Sequence, residues 1–171
     1  MFAALAVVVQ LSIVADVPAP VLADARIEVA RIFREVGVDL AWTSANGRPL
    51  PDAEVVRAIV VGDETGDLRR QPKAVLGAAT TTPLGTRIAW VFYRRVEGEA
   101  NAYGVQVAGV LACAIAHEIG HLLMPERGHA AAGLMRACWN AMDFQRASRG
   151  SLRFSAGEGE ALRRTLRSQA E

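Results

Sequence analysis

The three histidines of this chain lie within thirteen positions, as His117, His121 and His129. The first two flank Glu118 in the pattern His-Glu-x-x-His, and residues four apart on an α-helix lie one turn apart on the same face. Both imidazoles can therefore point at one ion. Zinc binds neutral imidazole nitrogens, and a catalytic zinc site uses three protein ligands, so His129 is the candidate third ligand. The spacing predicts a metal site with a carboxylate beside it.

The helix that carries this pattern is predicted over residues 105–123. Apolar residues run almost all round it, so it must be largely buried. Pro125 cannot continue a helix, and it disfavours helical geometry at Met124. The chain must turn there, which allows His129 to return towards the metal.

The other patterns predict an α+β fold, with a small twisted mixed sheet of about four strands packed on a first helix and on the buried helix. Apolar spacing and turn residues predict, in order, a strand ending at residue 13, a helix over 21–36, strands at 38–43, 58–61 and 87–96, and C-terminal helices at 141–147 and 158–167. Arg94 and Arg95 would guard 87–96 as an exposed edge strand. Residues 44–49 and 62–82 are predicted to be loops, with Thr80 to Thr82 at a loop edge, and Ser155 is a candidate N-cap.

Length and composition predict one domain over residues 1–171. With 171 residues and 51% hydrophobic content, the chain can bury a core of its own. We divide it into a part carrying the sheet and the buried helix, residues 1–123, and a part carrying the third ligand and the last helices, residues 124–171. The net charge is +1 with acids and bases interspersed, so we expect no nucleic-acid partner. We also expect the chain to be a monomer.

The apolar N-terminus has two interpretations. Residues 2–9 could form the core of a secretory signal cleaved near Ala23-Asp24-Ala25. No basic residue precedes the run, however, and the alternation up to Ile13 is typical of a half-buried strand, which we favour. Location stays open, with secreted and periplasmic both compatible. Gln10 and Asp16 interrupt the run before the ~20 apolar residues that a membrane span needs.

The two cysteines, Cys113 and Cys138, lack the Cys-x-x-Cys spacing of a structural zinc clip. They are either buried thiols or a disulfide, if residue 138 packs under the helix that carries residue 113.

The residue types around the pattern suit hydrolysis of an amide bond. Zinc would lower the pKa of a bound water towards ~7, and Glu118 would take its proton and return it to the leaving amine. Glu126 and Asp143 are weaker candidates, either to replace His129 or to orient an imidazole. A chance occurrence of the pattern would leave imidazoles and a carboxylate buried without compensation, which is costly.

These residues resemble the metzincin clan of zinc metallopeptidases. The resemblance rests on His-Glu-Ile-Gly-His-Leu-Leu at 117–123, on His129 after a turn, and on Gly133-Leu134-Met135 downstream, and it extends to small bacterial proteins predicted to be zincins of this type. It is specific over residues 113–139 and only architectural elsewhere. It implies a zinc cofactor and a Met-turn at Met135 beneath the metal.

The chain departs from the metzincin signature in its spacing. Eight positions separate His121 from His129 where the family has six, so Arg127 takes the family's third-ligand position and cannot ligate. Met124 stands where the family has glycine. No tyrosine follows Met135 closely, and Trp139 and Asn140 are candidate substitutes or simply packing and turn residues.

The same resemblance implies an extended peptide substrate paired antiparallel to the edge strand within 87–96, which makes Trp90 and Phe92 our candidates for substrate contact. The leading hypothesis is therefore a zinc metalloendopeptidase acting on a peptide or protein. A zinc-stabilised binding module without activity and a zinc amidase acting on a non-peptide amide remain as alternatives.

Overall fold

A five-stranded mixed sheet and five helices make up the part of the chain that the computed structural model describes, residues 5–44, 54–62 and 75–169. The elements run in the order β1 Ala6–Ile13, α1 Ala19–Glu35, β2 Asp39–Ser44, β3 Glu54–Val61, β4 Gly77–Thr81, β5 Arg87–Phe92, α2 Tyr93–Ala102, α3 Val107–Leu123, α4 Ala141–Ser148 and α5 Ala156–Gln169. This confirms the predicted α+β class.

The sheet has the strand order β2-β1-β3-β5-β4. Strands β2, β1, β3 and β5 are parallel, while β4 is antiparallel to β5 and ends the sheet. The predicted strand at the N-terminus is therefore confirmed as β1, which hydrogen-bonds to a strand on each side. A strand paired on both edges lies inside the sheet, which agrees with its run of buried valines, Val7 to Val9.

Two helices cover one face of this sheet. Helix α1 packs on β2 and on α3, and α3 packs on β3, β4 and β5 as well as on the other helices. The buried positions of α1 recur at helical spacing, and they meet a run of wholly buried positions, residues 110–120, on α3. The core of the described chain thus surrounds α3, as its all-round apolar sequence predicted. No described helix has both the length and the hydropathy needed to cross a bilayer.

The predicted strand over residues 87–96 was wrong in two respects. It ends at Phe92, and Tyr93 begins α2, because Tyr93, Val96 and Ala100 bury one helical face. It is also not an edge strand, since β5 lies between β3 and β4. The predicted third strand begins four residues earlier than expected, at Glu54.

The edge strand β4 falls inside the stretch predicted to be a loop. Thr80 and Thr81 pair with Ile88 and Arg87 of β5, and Gly85 closes the connecting turn with a φ of 80°. The Gly-Ala-Ala half of this strand has low intrinsic β-propensity, so pairing with β5 is what makes these residues a strand. Other parts of the predicted loops, residues 45–49 and 63–74, lie outside the described residues.

Candidate metal centre

Helix α3 brings His117 and His121 to the same side, one turn apart. Their Nε2 atoms lie 3.0 Å from each other. His117 is 8% exposed, and His121 lies nearer the surface. The helix ends at Leu123, directly before Met124 and Pro125, so the predicted helix end is confirmed.

The loop after α3 carries His129 to the same place. The Nε2 atom of His129 lies 3.2 Å from that of His121, although its side chain is exposed. The neighbouring backbone is held by an isolated bridge between Ala130 and Arg136, with the amide of Ala130 donating to the carbonyl of Met135 at 2.8 Å. The two extra positions after His121, compared with the metzincin spacing, are thus compatible with convergence of the three imidazoles.

The three imidazoles fit a single tetrahedral ion. One ligating nitrogen from each lies within 4.8 Å of the others. Two nitrogens bound at about 2.0–2.1 Å to one tetrahedral zinc would lie about 3.3 Å apart, close to the two short Nε2 separations. Neutral imidazoles can share at most one proton per pair, so such close packing of three ring nitrogens suits a shared cation better than hydrogen bonding.

The tautomer of His117 is set by a backbone contact. Its Nδ1 lies 2.7 Å from the carbonyl oxygen of Leu134, which can only accept, so Nδ1 carries the proton and Nε2 presents its lone pair to the cluster. Burial lowers the pKa of His117 to about 4, with His121 and His129 adding to the effect while the Leu134 bond opposes it. Burial and His129 also lower the pKa of His121. Both rings are neutral near pH 7, the state that ligates metal.

Glu118 lies beside the cluster, 6% exposed, and lines the same cavity. Burial raises the pKa of its carboxyl group to about 8. A cation held by the histidines would oppose this shift by favouring the carboxylate. The first residue of β4 makes room for this side chain: a Cβ on Gly77 would lie 2.7 Å from the Cγ of Glu118 and 2.5 Å from the carbonyl oxygen of Trp90.

Met135 packs beneath the helix between the two histidines. A Cβ on Gly120 would lie 2.8 Å from the sulfur of Met135 and 3.1 Å from the ring of Phe154. The glycine in His-Glu-Ile-Gly-His therefore admits the buried methionine against the helix backbone. A flexible thioether suits an irregular space of this kind.

A cavity of about 780 Å³ opens over the histidines. Strand β4 lines this cavity, and so does a row of aromatic rings in successive contact. Ring centroids are 6.1 Å apart for His117 and Trp139, 5.9 Å for Trp139 and Phe144, and 4.5 Å for Phe144 and Tyr103. Arg127 and Arg136 also line the cavity. The site therefore combines a polar floor with an apolar wall, the usual composition of a ligand pocket.

Not all the candidate residues reach this cavity. Phe92 is fully buried in the core, and Trp90 donates to Thr80 Oγ1 at 3.3 Å, and neither residue lines the cavity. Because β4 covers the outer edge of β5, the expected contact of a substrate with 87–96 has no free backbone edge to use.

Asp143 and Asn140 have structural partners instead. They form a capping box at the start of α4, and Asp143 also pairs with Arg136 at 3.1 Å. Glu126 is exposed and outside the histidine cluster. Trp139 belongs to the cavity wall and donates its indole N–H to the Leu134 carbonyl at 3.2 Å. Cys113 and Cys138 are both free thiols, the first buried and the second exposed.

Four features of the site were missed by sequence reasoning. They are the edge strand β4, the contact of Gly77 with Glu118, the Leu134 carbonyl and the wall formed with Tyr103 and Phe144. Thr80 to Thr82 followed by Pro83-Leu84-Gly85 resembles a strand and hairpin turn, so β4 had a readable signal. The backbone carbonyl had none, since every residue type carries one.

Comparison with known proteins identifies a fold. No protein-family model matches the sequence, and no curated protein matches it significantly. Among solved structures, the chain is similar to a zinc-dependent peptidase from Methanocorpusculum labreanum, with a TM-score of 0.57 and 15% sequence identity. The match covers 90% of this chain and 99% of that one. At this identity the likeness extends to the fold alone.

Proposed function

We propose that this protein is a zinc-dependent metallopeptidase, metzincin-like in its site, with His117, His121 and His129 as metal ligands. The observation that carries the proposal is the convergence of three imidazole nitrogens beside a buried carboxylate at the floor of an open cavity. The fold shared with a zinc-dependent peptidase supports it. Three protein ligands leave the fourth position of a tetrahedral ion open, as catalysis requires.

The chemistry would be divided between the ion and Glu118. Zinc bound here supplies a Lewis acid for the substrate carbonyl and lowers the pKa of water. Glu118 accepts the proton of the attacking water and delivers it to the nitrogen of the leaving amine. Burial alone raises the Glu118 pKa, and a cation held by the histidines would oppose that shift and favour the carboxylate that accepts the proton. Met135, the proposed Met-turn residue, packs against α3 beneath the histidines and does not touch substrate.

An extended peptide would bind along β4 rather than along 87–96. The outer side of β4 pairs with no described strand, and residues 77–81 line the cavity. A peptide could thus add to the sheet through backbone hydrogen bonds while its side chains meet the aromatic wall. In this proposal the scissile bond would lie between the strand and the histidines.

The test combines metal analysis with one isosteric substitution. Purified protein should hold about one zinc per chain, and Glu118→Gln should keep that zinc while lowering turnover of an unfolded protein substrate by about 10²–10⁴-fold. Glu126→Gln is the matched control, because Glu126 is an exposed carboxylate close in sequence to the site. Its turnover should be unchanged.

The alternatives give different results in the same experiment. A binding module would hold zinc without turnover of any amide, and Glu118→Gln would then have no effect. An amidase would cleave small acylated amines and leave peptides intact. Absence of zinc in the wild-type protein would overturn the proposal.

A further inference from the structure

Both backbone groups of Leu134 are engaged, and they connect the metal centre to the C-terminal part of the chain. The Leu134 carbonyl accepts from His117 Nδ1 at 2.7 Å and from the Trp139 indole at 3.2 Å. The Leu134 amide donates to the carbonyl of Arg153 at 3.1 Å. Leu134 itself is wholly buried. The orientation of the His117 ring therefore depends on where the backbone of residue 153 lies.

The backbone of Arg153 is in turn held by its own side chain. The guanidinium Nη1 contacts Glu28 at 3.1 Å and Nε contacts Glu35 at 2.5 Å, both on α1. The same guanidinium donates to the carbonyls of Leu152, at 2.9 Å, and Gly150. Its planar set of donors thus joins one helix to two backbone groups of its own segment. Arg153 anchors residues 150–153 to α1.

The backbone conformation at residue 133, next to Leu134, favours glycine. Gly133 has a φ of 83°, and a Cβ there would lie 3.3 Å from the Arg153 carbonyl oxygen. The positive φ favours glycine at this position, and a side chain there would also crowd the Arg153 carbonyl that the Leu134 amide reaches. This glycine precedes Leu134 and Met135 in the motif.

We propose that Arg153 is a positioning residue for His117. It acts through its own carbonyl and the backbone of Leu134, so that the carboxylates of α1 hold the tautomer and the orientation of an imidazole on α3. The proposal concerns the metal centre described above and rests on the proposed function for its consequence in zinc affinity. Groups that orient a ligating histidine typically change metal affinity by 10–100-fold when removed.

The first experiment reads the hydrogen bonds without any metal. In metal-free protein, NMR should show a slowly exchanging His117 Nδ1 proton and a protected Leu134 amide. Arg153→Ala should speed exchange of both protons by at least tenfold. Arg153→Lys should exchange more slowly than Arg153→Ala, because lysine keeps the positive charge but lacks the planar donors of the guanidinium.

Arg31→Ala is the matched control. Arg31 pairs with the same two carboxylates, at 2.7 Å and 3.1 Å, and donates to the same Gly150 carbonyl at 2.7 Å. It belongs to α1, however, and its backbone is not hydrogen-bonded to Leu134. A purely structural role for the charge cluster predicts equal effects of the two substitutions. The positioning role predicts that Arg31→Ala leaves the His117 proton protected.

The second experiment measures zinc affinity by competition with a chromophoric chelator. Arg153→Ala should weaken zinc binding by about 10–100-fold and Arg31→Ala by less than threefold. Equal losses in the two variants, or unchanged exchange at His117 in Arg153→Ala, would overturn the proposal. If the wild-type protein bound no zinc while the exchange results held, the proposed function would fail and the link from Arg153 to His117 would stand.

Discussion

Helix α3 and the loop that follows it contribute to one candidate site by different means. On α3, His117 and His121 are placed by helix geometry within a buried element that touches sheet and helices. The ligand loop, residues 124–140, has no helix or strand and is held by separate hydrogen bonds, such as Ala130 to Met135 and Leu134 to Arg153. Two of the three proposed ligands are therefore preformed, while the third depends on ordering a loop.

Removing a helix ligand should cost more than removing the loop ligand. In structural zinc sites four protein ligands share an apparent binding energy of about 10–16 kcal/mol, or about 3 kcal/mol for each ligand, so His117→Ala should weaken zinc binding by about 100-fold or more. His129→Ala should weaken it by about tenfold, because freeing the loop recovers about 1–2 kcal/mol of ordering entropy. Chelator competition measures both. Equal losses would mean that the ligand loop is as preorganised as the helix.

Gly77→Ala tests the rigid side of the helix, where it meets β4. The new Cβ would lie 2.5 Å from a backbone oxygen of Trp90, which cannot rotate away. We expect a loss of about 2–3 kcal/mol in unfolding free energy, near the upper end for overpacking, together with reduced turnover because Glu118 is displaced. Urea unfolding and peptidase assays measure the two effects. Gly98→Ala is the control, since nothing lies within 4 Å of a Cβ there.

Gly120→Ala tests the adjustable side of the same helix, where it meets the ligand loop. Its new Cβ would meet the far end of the Met135 side chain at 2.8 Å, and this side chain can move. We expect a loss of about 1–2 kcal/mol, smaller than for Gly77→Ala. The urea midpoint of Gly77→Ala should therefore be the lower of the two. The reverse order would contradict the view that α3 packs rigidly against β4 and adjustably against the ligand loop.

The smallest loss of stability is expected from a substitution at the end of the ligand loop, where α4 begins. Asn140→Ala removes the capping box at the start of α4 and should cost about 1 kcal/mol of unfolding free energy. Ser155→Ala is a matched loss at α5, where Ser155 and Glu158 form the same reciprocal pair. Thermal unfolding measures both. Zinc affinity should fall slightly only for Asn140→Ala, because Asp143 of that cap also holds Arg136 in the loop.

Much of the candidate metal centre could be predicted from interactions between residues close together in the sequence. The four-residue separation of His117 and His121, close to one helical turn, places them together, Pro125 ends the helix, and Ser155 caps α5 as predicted. These features depend on neighbours within a few residues. Short-range geometry is the same in every protein, so sequence alone determines them.

Long-range contacts decided the remainder. Pairing with β5 makes a strand of the weak β4 sequence and turns the expected edge strand into an internal one. Burial of Tyr93 against the core ends that strand and begins α2. The position of His129 and the hydrogen bonds from Arg153 through Leu134 to His117 join residues far apart in the chain. Backbone carbonyls and packing partners leave no mark on residue types, so only the tertiary structure could assign them.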